Sequence, residues 1–253
     1  MSSLKKLPES VLQDSWSGLR QFTPARIALG SAGHAVPMEE VLRFRLAHAQ
    51  AREAVYAVCD FNTIAEELEK MAVPFVHLHS QAQDRNSYLQ RPDLGRKLDE
   101  SSANTLDTLN GPACDIVLIL ADGLSATAIN KHAVSFLKIL LPLLTAYAIG
   151  PVSLVKQGRV AISDEIGFRL RAKLAIILIG ERPGLSSPDS MGIYLTYEPH
   201  PGNTDESRNC ISNIRTEGLS YRDGAEKLLF LIRESLRLKL SGTCLKDDSR
   251  LLS

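Results

Sequence analysis

Two histidines, His77 and His79, stand two residues apart, so in an extended strand they would share a face and could chelate a metal ion. No third ligand follows at a metal-site spacing, so the pair reads as partly exposed strand histidines and no metal site is predicted. Asp164 and Glu165 resemble an acid pair, yet carboxylates in the first turn of a helix simply favour the positive end of its dipole. Gly123-Leu124-Ser125 could open a serine-hydrolase elbow, but Thr127 stands where the closing glycine belongs. The glycine turns at 122–125, around Gly158 and at 180–184 match neither a dinucleotide fingerprint nor a phosphate loop. The four cysteines, Cys59, Cys114, Cys210 and Cys244, form no C-x-x-C pair, which predicts reduced thiols and an intracellular protein. Motifs alone leave an α/β protein with an unassigned ligand site.

The elements that would position these residues alternate along the chain. Asp115–Ala121 and Leu174–Gly180 are continuous apolar runs, as expected of parallel strands covered on both faces. The first ends in a tight turn, with Ser125 placed to cap a long helix that runs through Leu144. Phe75–His79, Pro151–Val155 and Met191–Tyr197 read as further strands, and Arg91–Arg96 and Asp164–Ala172 as helical stretches. Ala225, Leu228, Leu229, Ile232 and Leu236 fall at helical spacing, so Asp223–Leu240 is predicted to be a helix packed by one face. Upstream, Pro37 marks a helix start and Ile64, Leu68 and Met71 mark a second helix, with a short helical piece expected at Val11–Trp16. This order predicts an α/β fold: a doubly wound, mainly parallel sheet in residues 73–253, preceded by an N-terminal arm and helical lead-in in residues 1–72. In such a sheet the ligand sits beyond the carboxyl ends of the strands, which points to the three glycine turns.

Composition narrows the partners. The chain has 253 residues, 44% hydrophobic and 23% charged, with 29 Lys+Arg against 29 Asp+Glu. That balance provides no global field for nucleic acid or an anionic membrane, and favours a small ligand or a protein partner. Met1–Glu9 lacks the apolar run of a secretory signal, and the long apolar stretch 133–150 contains Lys138 and Pro142, so it reads as a buried helix and not a membrane span. The tail Leu245–Ser253 is expected to fray.

Five segments, taken together and in order, resemble the small subunit family of ethanolamine ammonia-lyase: Tyr88–Lys97, Ala121–Ile129, Gly158–Gly167, Gly180–Leu185 and Arg208–Ile214. The resemblance covers roughly residues 86–240 and is much weaker over the first 85 or so. It implies a heteromeric, adenosylcobalamin-dependent lyase that converts ethanolamine to acetaldehyde and ammonia by radical chemistry. A large subunit would hold the substrate and the catalytic residues, while this chain, inactive alone, would supply a Rossmann-like platform within a higher hetero-oligomer. Three cobalamin-contacting positions carry over: Val160 in Gly-Arg-Val, Glu181 in Gly-Glu-Arg-Pro-Gly and Cys210 in Cys-Ile-Ser-Asn-Ile. None of the six histidines lies in a D-x-H-x-x-G pattern, so base-on binding of the cofactor is expected, with cobalt carried by the cofactor. The family also implies a bacterial cytoplasmic location, within the ethanolamine-utilisation microcompartment.

Read by their chemistry, Glu181 follows a buried strand and could accept hydrogen bonds from cofactor amides, or could pair with Arg182 as an ordinary turn carboxylate. Val160 could touch a large ring or belong to the core, and Cys210 could do the same or be a small buried apolar side chain. The alternatives for the whole chain are a nucleotide-binding α/β enzyme and a noncatalytic assembly subunit.

Overall fold

Six strands form one sheet in a computed structural model that describes residues 11–109 and 111–246. The strands are β1 (Phe75–His79), β2 (Cys114–Ala121), β3 (Val152–Lys156), β4 (Ala172–Gly180), β5 (Met191–Tyr197) and β6 (Arg208–Ile214), in the order β1-β3-β2-β4-β5-β6. The helices are α1 (Met38–Tyr56), α2 (Phe61–Lys70), α3 (Arg85–Gln90), α4 (Glu100–Thr108), α5 (Ala126–Leu140), α6 (Ile162–Arg169) and α7 (Tyr221–Leu238). None of the described helices is long and apolar enough to cross a membrane. The chain divides into two compact units, Met1–Glu53 with Gly184–Ser187, and Ala54–Pro183 with Pro188–Ser253. The whole sheet belongs to the second.

The apolar runs of β2 and β4 bury both faces, and their alternation sorts the core into two layers. Ile116, Leu118, Leu120, Leu174, Ile176 and Leu178 face one layer, which includes Phe61, Ile64 and Leu68 of α2, Phe136 and Leu137 of α5, and Leu228 and Ile232 of α7. Val117, Ile119, Ala121, Ala175, Ile177 and Ile179 face the other, with Leu106 of α4 and Ile162 and Ile166 of α6. Ser125 caps α5 as expected, its Oγ accepting from the Ala128 N–H at 3.3 Å, and Pro142 falls in a 3-10 turn, Leu141–Leu144, that ends the helical stretch.

The sheet is mixed, and only partly parallel. β1, β3, β2 and β4 are parallel to one another, whereas β5 runs antiparallel to β4 and β6 antiparallel to β5. A parallel return needs a crossover of a dozen or more residues, usually helical, and the connection 181–190 from β4 to β5 is too short for one. β6 escapes sequence reading because Arg-Asn-Cys-Ile-Ser-Asn-Ile has neither an apolar run nor clean alternation; it buries Arg208, Ile211 and Ile214 and exposes Cys210, Ser212 and Asn213. Its register shifts by a bulge, with Met191 opposite Ile214 but Ile193 opposite Ile211.

Two local readings also shift. Ser17–Phe22 is a 3-10 turn, while Leu12, inside the expected Val11–Trp16 helical piece, makes an isolated bridge to Ser31. Leu94–Arg96 is a single 3-10 turn held after Pro92, and α4 starts only after Asp99, whose carboxylate caps it at Ser102 N–H. From Asp247 onward, the tail expected to fray lies outside the described residues, as do Met1–Glu9.

Candidate functional site

The turn after β2 meets the carboxyl end of β4 backbone to backbone, and it is tied to the loop after β3 through the Asp122 side chain. Gly123 has φ +59°, and a Cβ there would strike the Gly180 carbonyl oxygen; a Cβ on Gly180 would in turn strike the carbonyl oxygen of Ser125. Glycine at both positions lets the turn after β2 lie against the end of β4. Asp122 then reaches the loop after β3, accepting from the N–H groups of Gln157 at 3.0 Å and Gly158 at 3.2 Å. Burial pushes the Asp122 carboxyl up, while these N–H groups and the Arg85 guanidinium, 4.0 Å away, pull it down.

That loop carries Arg159 and Val160. Arg159 donates its backbone N–H to Gly95 O at 2.7 Å and an Nη2–H to Tyr88 O at 2.9 Å, and its guanidinium lies 4.1 Å from the Tyr88 ring centroid. Tyr88 is fully buried, with its hydroxyl donating to Gly158 O at 3.1 Å and Arg85 stacked on it at 4.7 Å. Arg159 Nε is buried without a hydrogen-bond partner. Val160 is half-buried against the α4/α6 layer.

Glu181 leaves β4 with its N–H donating to Ser190 O at 2.9 Å. Its Oε2 accepts from the Ser190 hydroxyl and from Asn213 N–H at 3.3 Å, so the β4–β5 connection and β6 hold the side chain. Gly192 leaves room for it, since a Cβ there would come within 2.8 Å of Glu181 Oε1. The partner considered from sequence, Arg182, makes no ion pair with it among the described residues.

Cys210 is exposed on β6, opposite Tyr194 of β5. Surrounding protein pushes its thiol up, Tyr194 acts against this and Glu181 adds to it, so the thiol stays protonated at neutral pH and is a poor nucleophile. Tyr194 is pushed well above the usual phenol range by burial, then by Cys210 and Glu181, which keeps its hydroxyl a donor. Both side chains stand on the sheet face of α4 and α6.

Two shallow cavities open over this face. One, about 280 Å³, is walled by Arg96, Arg159, Val160, Tyr194, Arg208 and Cys210. The other, about 440 Å³, is walled by Tyr88, Arg159, Val160, Glu181, Arg182 and Tyr194. Arg159, Val160 and Tyr194 line both. The three residues singled out from sequence, Val160, Glu181 and Cys210, therefore converge from three separate segments on one continuous wall. A separate apolar cavity of about 450 Å³, lined by Leu106, Cys114, Ile149 and Leu170, lies at the amino ends of the strands, away from these residues and at the end of the sheet where ligands are not expected.

Sequence reasoning did not single out Arg159, Tyr194, Tyr88 or Arg208. The first two line both cavities, and Tyr88 lies under the Arg159 guanidinium. Arg208 is buried and makes a two-pronged pair with Asp164 at 2.6 and 2.7 Å. Asp164 thus serves as more than a helix-start carboxylate, and Glu165 accepts from Leu98 N–H and pairs with Arg169. His77 and His79 lie on β1 at the sheet edge, with His79 Nδ1 2.7 Å from Ser80 O. The described residues contain no group of three or more His, Cys, Asp or Glu able to hold a metal ion. Ser125 is occupied as a cap and donates to Pro188 O at 2.8 Å. The wall offers donors, two carboxylates, Glu181 and Asp205, and apolar surface, which suits holding a ligand more than attacking one.

Comparison with known proteins places a family on this arrangement. The family model described as "Ethanolamine ammonia-lyase light chain (EutC)" matches residues 13–246. Among curated relatives, the ethanolamine ammonia-lyase small subunit of Xanthomonas campestris pv. campestris is 50% identical over 247 residues, covering 96% of this chain and 91% of its own. The subunit of the same name from Pseudomonas aeruginosa is 51% identical over 251 residues, covering 97% and 92%. That of Pseudomonas fluorescens is 52% identical over 243 residues, covering 94% and 89%.

Proposed function

The chain belongs to the ethanolamine ammonia-lyase light chain family, and on that premise we propose that it is the small subunit of an adenosylcobalamin-dependent ethanolamine ammonia-lyase. With a large subunit it takes part in converting ethanolamine to acetaldehyde and ammonia. In this reading residues 73–253 form a Rossmann-like cofactor-binding part that binds the cofactor base-on, the assembly is a higher hetero-oligomer, and its place is the bacterial cytoplasm, inside the ethanolamine-utilisation microcompartment.

One observation carries the cofactor assignment: Val160, Glu181 and Cys210, from the β3–α6 loop, the end of β4 and the middle of β6, wall two contiguous cavities. Each cavity lies near the small end of ligand pockets, so a large ligand would have to lie across both. The donor set suits a broad ring edged with carboxamides. Glu181 accepts, Tyr194 and Arg159 donate, and Val160 gives apolar contact. The unpaired, buried Nε of Arg159 supports the same fit, because an acceptor on a ligand would satisfy a donor that the fold leaves unmatched.

When bound, the cofactor supplies radical chemistry from its cobalt–carbon bond. This chain's residues bind and orient. Ser190 and Asn213 fix the Glu181 carboxylate, Tyr88 fixes the plane of Arg159, and the joined glycine turns fix the distance between the two loops. Water is excluded when the large subunit closes over the open sheet face. In this reading the reacting groups belong to the large subunit.

The test is acetaldehyde formation from ethanolamine with added adenosylcobalamin, for this chain alone, a large subunit of the family alone, and the two coexpressed. Activity is expected only from the coexpressed pair, with Glu181→Ala weakening cofactor retention about tenfold while the complex still forms. Unchanged cobalamin affinity in that variant would leave an assembly role and refute the site; absence of any complex would refute the small-subunit reading.

A further inference from the structure

The smaller of the two cavities has three arginines in its wall, where its neighbour has Arg159 and Arg182 beside Glu181. Arg96, Arg159 and Arg208 line it, with Asp205 as the carboxylate in the wall. Arg208 is already committed, two-pronged to Asp164 and 3.4 Å from Asp205. Arg159 stacks on Tyr88, gives one N–H to a backbone carbonyl and meets no carboxylate among the described residues. Arg96 is exposed, and its side chain has no partner among the described residues. Three guanidiniums against the two carboxylates Asp164 and Asp205 leave one positive charge in excess.

The placement of the two uncommitted arginines is built into the backbone. The Arg159 N–H to Gly95 O hydrogen bond ties the residue before Arg96 to the loop that bears Arg159. Gly95 also gives the Arg159 stem its room, because a Cβ there would lie 2.8 Å from Arg159 Cγ. Both guanidiniums are thereby brought to one wall, beside the cavity that holds Glu181.

Resting on the small-subunit reading above, we propose that this cavity is the subsite for the phosphodiester of the cofactor's nucleotide loop, held by Arg96 and Arg159. The carboxamide arms of a cobalamin are neutral, so the phosphodiester is its one anionic substituent, and its single charge matches the single excess charge of the cavity. Guanidinium is the side-chain group whose planar fork best suits phosphate oxygens. Asp164 keeps Arg208 back as wall, and Glu181 meets the neutral amides in the neighbouring cavity.

Equilibrium binding to the coexpressed complex, read from corrinoid absorbance after dialysis in the dark, tests this with two ligands. Adenosylcobalamin carries the phosphodiester; adenosylcobinamide lacks the nucleotide loop and its phosphate. Arg159→Gln is expected to weaken adenosylcobalamin about tenfold and Arg96→Gln about threefold; Arg96→Gln leaves adenosylcobinamide unaltered, and Arg159→Gln, which also loses its contact to the ring amides, weakens adenosylcobinamide distinctly less than adenosylcobalamin. The preference of the unmodified complex for adenosylcobalamin should shrink as salt is raised. Arg96→Gln, at an exposed position, decides the matter if loss of the Tyr88 stack prevents Arg159→Gln from folding. Equal losses for both corrinoids, or no loss with Arg96→Gln, overturn the proposal and leave the small-subunit reading standing. Failure of the unmodified complex to hold either corrinoid overturns that reading instead. Stabilisation by inorganic phosphate that Arg96→Gln abolishes, with the preference between corrinoids unchanged, would assign the site to free phosphate and overturn the cofactor assignment.

Discussion

Asp164→Asn is the substitution whose cost the structure defines most closely. The Asp164 and Arg208 side chains are 3% and 2% exposed, and the carboxylate takes two guanidinium N–H groups at 2.6 and 2.7 Å. Asparagine keeps the shape and one acceptor but leaves the arginine charge buried without its counter-ion. Breaking such a pair from one side costs about 3–5 kcal/mol. Arg208 retains Thr196 Oγ1 at 3.1 Å, Asn203 O at 3.2 Å and the exposed Asp205, which places the loss near the lower end, about 3 kcal/mol. For a unit of this size that lowers the thermal midpoint by about 6–12 °C, measured by circular dichroism on the coexpressed complex and on the free chain. Removing both charges with Asp164→Asn and Arg208→Met should recover part of the loss, since the remaining deficit is then the unmatched Thr196 hydroxyl and Asn203 carbonyl. A shift under about 2 °C for the single variant, or a double variant worse than the sum of the two singles, would refute an uncompensated buried charge as the cause.

Two further outcomes follow from the packing. Gly180→Ala is expected to cost about 2–3 kcal/mol, because the added methyl meets the Ser125 backbone and no flexible side chain can yield, whereas Gly18→Ala, with nothing within 4 Å, should be near neutral in the same unfolding assay. His132, buried with Nδ1 2.7 Å from Tyr221 Oη, is held below the usual imidazole value by burial, against the pull of Asp189 and with Lys131 and Arg215 adding to it. The unfolded chain therefore takes up this proton first. Stability is complete above the ordinary histidine range and falls as pH drops through it, and His132→Gln should flatten that slope in pH-resolved unfolding curves; an unchanged slope would exclude His132 as its source.

How much of this could be read from the chain depended on the physics of each segment. β2 and β4 were legible because strands covered on both faces are apolar throughout, and α7 because one buried stripe recurs at helical spacing. The reversal of direction at β5 was not legible, since strand direction lies in the length of the preceding connection and not in the strand's own residues. β6 stayed hidden because half its side chains face solvent and one of its buried residues is an arginine. At the wall, motif chemistry alone reached only the turn glycines; Val160, Glu181 and Cys210 were named through family resemblance. Arg159 and Tyr88 lay inside the same resembling segments, but nothing in their spacing revealed a stacked pair 71 positions apart. Asp164 was read by its position in a helix, and its partner Arg208 arrives from another strand 44 residues later.

The bulge between β5 and β6 makes chain length and residue identity unequal as routes of change. Cys210, paired with Tyr194 ahead of the shift, faces the cavity, while Asn213, within the shifted stretch and two places beyond the core residue Ile211, turns at φ +62° and offers its N–H to Glu181. The bond from Asn213 is a main-chain one, so almost any side chain that tolerates the turn could stand there and preserve it. An insertion or deletion of one residue between 208 and 213 would do what substitutions do not: depending on which side of the bulge keeps its pairing, it turns the thiol toward the core or carries the donor away from the carboxylate. Among descendants of this sequence, the stretch is therefore expected to drift in letters while keeping its count, and a library that varies its length should lose ligand binding far more often than one that varies its composition.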